Sequence, residues 1–122
     1  MNACEKSLPG GLLLTVRRPS SDVVVVAIEG EVDLANCPEL DRVVMRVTAE
    51  PGIERVIIDL TGVGFLAACG VRCLARLQMR LAAGRHRMQL VVSPDSGTVR
   101  RVLVLVNGFE IVDSLAETGA TC

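Results

Sequence analysis

Five cysteines, two aspartates behind apolar runs, one histidine and a file of arginines are the residues of this chain whose types could do chemistry. Cys69 and Cys73 stand four apart, a spacing that puts both on one face of a helix. Zinc would ask for two more ligands at finger spacing, and the chain has no second pair. Cys-x-x-x-Cys also departs from the Cys-x-x-Cys of disulfide redox enzymes, so small residues on a helix flank are the plain reading and thiol redox chemistry the sharper one. Asp33 and Asp59 each follow an apolar run. They could be paired carboxylates at the carboxyl edge of a parallel sheet; with no metal ligand or base beside them, loop-capping is the simpler role. His86 lies between Arg85 and Arg87 in a polar turn, which leaves a serine or cysteine triad without an obvious base. Gly62-Val63-Gly64 lacks the spacing of a phosphate-cradling loop. Arg72, Arg76 and Arg80 repeat every four residues and continue into Arg85 and Arg87. Such a stripe is either a solvated helix face or a docking surface for an acidic partner.

The elements that would position these residues are set by an aliphatic composition. The chain has 122 residues, room for one domain, and half of them are apolar, enough for a core built without Trp or Tyr. A net charge of -1 argues against nucleic acid or an anionic membrane as partner. The longest apolar runs, such as Val23 to Ile28, fall far short of the roughly 20 residues of a spanning helix. No basic stretch followed by an apolar one opens the chain, so the expected location is the cytoplasm, with Cys4, Cys37, Cys69, Cys73 and Cys122 mostly as thiols.

Met1–Gly11 is expected to fray. Leu12–Val16 and Val23–Ile28 read as strands joined by the turn Ser20-Ser21-Asp22, a hairpin whose second strand is buried on both faces. Asn36 with Glu39 resembles a capping box, with Pro38 in the first turn of a helix that carries Leu40, Val43, Val44 and Val47. The helix stops near Glu50-Pro51-Gly52. Val56–Ile58 is a buried strand closed by Asp59, followed by a loop at Thr61–Gly64. A helix over about Ala68–Ala83 ends at Gly84, and Met88–Val92 is the next strand. Ser93-Pro94-Asp95 starts and Asn107-Gly108 stops a segment whose run Val102–Val106 fits strand or helix, the flanks favouring helix. Phe109–Val112 fits a short edge strand and Ser114–Glu117 a last helical turn. Strands alternating with helices imply a mainly parallel sheet with right-handed crossovers.

This order of landmarks resembles the STAS domains, found in bacterial anti-sigma-factor antagonists and in sulfate transporters. Gly30-Glu31-Val32-Asp33-Leu34 is similar to their Gly-Glu-aliphatic-Asp-aliphatic motif. Val56-Ile57-Ile58-Asp59-Leu60-Thr61-Gly62-Val63-Gly64-Phe65-Leu66 resembles their second motif, the specific one. Gly70 stands where the family has the glycine of Asp-Ser-Ser-Gly, and Val99–Leu103 and Phe109–Ile111 resemble the C-terminal helix and final segment. The resemblance covers about residues 12–118, resolves Val102–Val106 as helix, and implies an α/β, STAS-like (SpoIIAA-like) single domain. Its sheet should be mixed, mainly parallel and of four to five strands with helices packed on it, between a flexible 1–11 and a tail at 119–122.

What the resemblance implies for function is binding rather than catalysis. The antagonists bind an anti-sigma factor with a serine-kinase-like fold and so release a sigma factor for transcription. Phosphorylation of the first serine of Asp-Ser-Ser-Gly breaks the complex. Here that motif reads Ala67-Ala68-Cys69-Gly70: Ala68 occupies the phosphoacceptor position, Ala67 the acidic one, Cys69 the second serine. The expected partner-binding surface is Asp33, Phe65, Leu66, Ala67, Ala68, Cys69, Gly70, Arg72 and Arg76, without a cofactor or metal, on a monomer or weak homodimer. Two alternatives remain: a scaffold subunit outside any sigma-factor pathway, and a thiol-based redox sensor. For the sensor, Cys69 at a helix start with Arg72 three residues on would be the most reactive thiol. Cys37, at the start of the preceding helix, would be its neighbour, with Cys73 a turn deeper.

Overall fold

The computed structural model describes residues 4–8, 11–106 and 108–119. In chain order the elements are β1 (Cys4–Leu8), β2 (Leu12–Ser20), β3 (Val23–Val32), α1 (Cys37–Thr48), β4 (Arg55–Leu66), α2 (Ala68–Ala83), β5 (Arg87–Val91), α3 (Gly97–Val104), β6 (Glu110–Val112) and a 3-10 turn, Leu115–Thr118. The strands form one six-stranded sheet in sequence order. The β1–β2 and β2–β3 pairings are antiparallel; those from β3 to β6 are parallel.

The valine run of β3 shows why the sheet is buried on both sides. Side chains alternate along a strand, so Val24, Val26 and Ile28 point one way with Leu14, Val16, Val56, Ile58, Leu60, Met88 and Leu90. Val23 and Val25 point the other way with Ile57 and Val91. Each parallel crossover steps one strand further in the same direction. Right-handed crossovers of that kind lay all their helices on one face. Leu40, Val43, Val44 and Val47 of α1, Val71, Leu74, Leu77 and Leu81 of α2, and Val99 and Leu103 of α3 accordingly share the first cluster. The opposite face is closed by the C-terminal turn: Leu115 packs on Val23, Val25, Ile57 and Val91. Arg55 ties it down, its Nη1 donating to the Thr118 carbonyl at 2.6 Å and to Gln89 Oε1 at 2.8 Å.

Several elements differ from the sequence expectation. The sheet has six strands rather than four or five, because Cys4–Leu8, expected to fray, pairs with β2 from Cys4↔Val16 to Leu8↔Leu12. β2 runs on through Arg17-Arg18-Pro19 to Ser20, with its register to β3 shifting between Arg17 and Ser20, where Pro19 has no N–H to give. β4 does not close at Asp59. It continues through Thr61–Gly64 to Leu66, paired with β3 across register shifts around Glu29. α3 is shorter than its flanks suggested. Gly84 is the C-cap of α2, but at φ -88; the left-handed residue is Arg85, at φ 65. A Cβ at Gly84 would stand 3.0 Å from His86 Nδ1, so that imidazole would have to shift to admit one.

Candidate functional site

The parallel pairing of β3 with β4 sets Glu31 beside Phe65 and Val32 beside Leu66. The chain therefore leaves the same sheet edge twice, through 33–36 into α1 and through Ala67 into α2. The first exit is locked by side chains. Asp33 Oδ1 accepts from the N–H groups of Ala35 at 2.9 Å and Asn36 at 3.2 Å. Asn36, fully buried, accepts from the Asp33 N–H through Oδ1 at 2.9 Å and donates through Nδ2 to the Glu31 carbonyl at 3.0 Å. This is not the capping box: Asn36 makes no side-chain cap to α1, and Glu39 instead pairs with Lys6 at 2.6 Å and with Arg42. The locked turn projects Leu34 outward, 78% exposed.

At the second exit the strand alternation turns Leu66 into the core and leaves Phe65 52% exposed. Ala67 takes the N-cap position of α2 in extended conformation, φ -72 and ψ 165, without a side-chain acceptor for the first-turn N–H groups. Ala68 is exposed, Cys69 half-buried and Gly70 buried. Gly70 allows α2 to sit against β3: a Cβ there would stand 3.2 Å from the Val32 carbonyl and 2.7 Å from Leu66 Cδ1. Arg72 and Arg76 lie exposed on the next turns. Among the described residues no carboxylate pairs with either, while Arg80 of the same stripe pairs with Asp41 and Arg87 with Glu110. One rim thus carries Asp33, Leu34, Phe65, Ala68 and Arg72. Leu34 was not among the expected site residues; its signal in the sequence is a leucine inside a polar loop.

The structure separates other candidates. Asp59 stands opposite Ala27, and Asp33 lies six residues beyond Ala27 along β3; at about 3.3 Å per residue that is on the order of 20 Å, so they are no catalytic pair. Asp59 Oδ1 accepts from the Thr61 N–H at 3.0 Å and hydroxyl at 2.7 Å, the loop-capping role. Among the cysteines, the neighbour of Cys37 is Cys73, not Cys69. Cys73 Sγ donates to the Cys37 carbonyl at 3.7 Å, and Arg76 Nη2 donates to Cys37 Sγ at 3.7 Å. Cys73 is wholly buried, and burial first, then its contact with the Cys37 thiol, pushes its own thiol far above the ordinary range. Among the described residues no three His, Cys, Asp or Glu side chains gather as metal ligands. No helix there is long and apolar enough to cross a membrane.

Comparison with known proteins adds three findings. A family model described as the STAS domain matches residues 16–121. No curated protein matches the chain by sequence. Solved structures do match in fold. An anti-sigma factor antagonist from Mycobacterium paratuberculosis is 25% identical, superposes with a TM-score of 0.75, and is matched over 94% of this chain and 98% of its own. The anti-sigma factor antagonist SpoIIAA in its unphosphorylated form is 17% identical with a TM-score of 0.66, over 87% of this chain and 93% of its own. A murine anion transporter, solute carrier 26 family member A9, is 15% identical with a TM-score of 0.71, over 97% of this chain but 21% of its own.

Proposed function

The chain belongs to the STAS domain family, and on that premise we propose that it is an anti-sigma-factor antagonist. It works in the cytoplasm by binding an anti-sigma factor of serine-kinase-like fold, thereby freeing a sigma factor, and it catalyses nothing. The observation that carries this reading is the rim at the start of α2. There Leu34 and Phe65 present exposed apolar surface beside Arg72 and Arg76, cations with no carboxylate partner among the described residues. Large apolar side chains held outward on a rigid edge, flanked by charge, are what a protein interface uses as anchors and steering groups. The near end-to-end match to an anti-sigma factor antagonist at 25% identity supports the choice of partner. The contact surface in this reading comprises Asp33, the segment Phe65-Leu66-Ala67-Ala68-Cys69-Gly70, Arg72 and Arg76.

The usual switch is closed on this reading, because Ala68 has no hydroxyl to accept a phosphoryl group. Titration calorimetry against the kinase-fold anti-sigma factors encoded in the same genome tests both parts. Binding by one of them is expected, weakened at least tenfold by Phe65→Ala and by Arg72→Glu with Arg76→Glu, at unchanged circular dichroism. With ATP present, no phosphate should appear between Thr61 and Arg72. Binding to none of them would favour the scaffold reading. Binding untouched by these substitutions would remove the rim from the interface.

A further inference from the structure

We propose that Cys37 and Cys73 are an oxidative modification site, a thiol pair that a hydroperoxide closes into a disulfide joining α1 to α2. The pairing comes from helix packing. Cys37 is the first residue of α1 and Cys73 lies in the second turn of α2, and the two helices lie side by side on one sheet face. Two residues of α2, three apart, contact Cys37. Cys73 Sγ reaches its carbonyl and Arg76 Nη2 reaches its sulfur, each at 3.7 Å. The Cys37 side chain is also among the causes that raise the Cys73 thiol, after burial. Cys69, the thiol expected to react with Cys37, sits a full turn nearer the mouth of α2, about 5–6 Å along the axis.

The pair is asymmetric in a way that assigns roles. Cys73 is at 0% exposure among apolar side chains and stays protonated. Cys37 keeps 6% exposure at the edge of the interface, under the exposed Arg76. Asp41, one turn further along α1, faces the same seam; its Oδ2 pairs with Arg80 and its Oδ1 is buried without a partner. Cys37 is therefore the attacking sulfur. Its sulfur takes the terminal oxygen of the hydroperoxide and becomes a sulfenic acid as the O–O bond breaks, the thiol's proton leaving with the other oxygen as water or an alcohol. The Cys73 sulfur then displaces that hydroxyl, its own proton going out in a second water. Two thiols are oxidised by two electrons and one peroxide bond is reduced. The disulfide turns the sulfur that Arg76 donates to from a thiol into a bridging sulfur and fixes the start of α1 to the helix that carries the rim. None of this depends on which partner the rim binds.

Trypsin separates the three cysteines cleanly. Cys73–Arg76 is one fragment, Val56–Arg72 carries Cys69 alone, and Arg18–Arg42 carries Cys37 alone because Pro19 protects the Arg18 bond. The full chain is treated with hydrogen peroxide, alkylated under denaturing conditions and digested without reductant. The expected product links Cys73–Arg76 to Arg18–Arg42, less two hydrogens. It should disappear with dithiothreitol, be absent in Cys37→Ser, and persist in Cys69→Ser. The proposal is overturned if Cys37 and Cys73 stay alkylatable while Cys69 oxidises, or if the major link joins Cys69 to either. Because the wild-type digest decides this alone, a variant that fails to fold does not blur the result.

Discussion

Ala67 is a helix cap with the right backbone and the wrong side chain, which makes Ala67→Asp a sharp perturbation. Its dihedrals, φ -72 and ψ 165, are those of an N-cap residue, yet α2 starts without a side-chain acceptor and without an acidic residue in its first turn. A carboxylate at position 67 can accept from the N–H of Cys69 or Gly70, and no Cβ on Gly70 obstructs it. Replacing Ala at an N-cap by Asp is worth about 1 kcal/mol, within roughly 0.5–2. Charge against the helix dipole adds about 0.3–1 kcal/mol. At roughly 4 °C per kcal/mol for a chain of this size, Tm should rise by about 5–8 °C. The two parts separate by pH. A capping Asp has its folded pKa depressed, so the charge-dependent gain is complete above the unfolded value near ~3.9 and is lost as pH falls through the folded value. Ala67→Asn keeps the hydrogen bond without the charge; its smaller gain should not vary with pH. Thermal unfolding by circular dichroism from pH 7 down to pH 3 gives both curves. If neither variant is more stable than wild type at pH 7, Ala67 is not the cap of α2 and the account of this helix start is wrong.

Asn36→Ala should cost about 2–4 kcal/mol by urea denaturation, because it leaves the Asp33 N–H and the Glu31 carbonyl without their partner in a part-buried turn, at roughly 1–2 kcal/mol each; a loss under 1 kcal/mol would mean that water replaces the amide. Acid should also destabilise the fold. Hydrogen bonds from Lys6, Arg18 and Arg87 hold the carboxyls of Glu39, Glu50 and Glu110 below their ordinary range. Depressed folded values mean stability that is present above the unfolded glutamate pKa of about 4.3 and lost as pH falls through the folded ones. Glu110→Gln should flatten the acid limb of a stability–pH curve, and an unchanged limb would show that the Arg87–Glu110 pair contributes nothing to it.

The parts of this fold legible in the sequence are those whose signal is local. Val23–Ile28 and Val56–Ile58 are apolar runs rich in β-branched residues, and Leu74, Leu77 and Leu81 keep helical spacing; all but Ala27 are buried. The parts that were not legible depend on pairing between distant segments. Cys4–Leu8 carries two charged residues in five and becomes a strand only because β2 offers an edge. Thr61–Gly64 reads as a loop by its two glycines, yet one of them permits the pairing: a Cβ on Gly62 would stand 3.0 Å from the Ile28 carbonyl. Asn36 fits a capping box by spacing, but a buried amide between two backbone groups binds those first. Which cysteine of α2 meets Cys37 is a matter of helix translation by one turn, and a period of 3.6 places Cys69 and Cys73 on one face without saying which lies opposite Cys37.

The departure at 67–68 removes two things at once and leaves a third. In the pattern this stretch resembles, an acidic residue and the phosphoacceptor serine stand at the mouth of the helix, the first at an N-cap position where a carboxylate would accept from the open N–H groups. Ala67 and Ala68 supply neither, while Leu66, Gly70 and the outward Phe65, which shape the surface, are kept. A phosphoryl group at 68 would bring roughly -1.5 to -2 charges beside the exposed apolar side chains of Leu34 and Phe65, and desolvating that charge is what would break an interface. If the proposed function holds, Ala68 has no hydroxyl to take that charge, and a kinase-type partner would have no acceptor at this position. On that reading, control of the surface would come from the amount of partner or from a second site. The nearest chemistry behind the rim is the Cys37–Cys73 pair, joined to it through Arg76, which touches the Cys37 sulfur and shares its helix with Ala68 and Gly70.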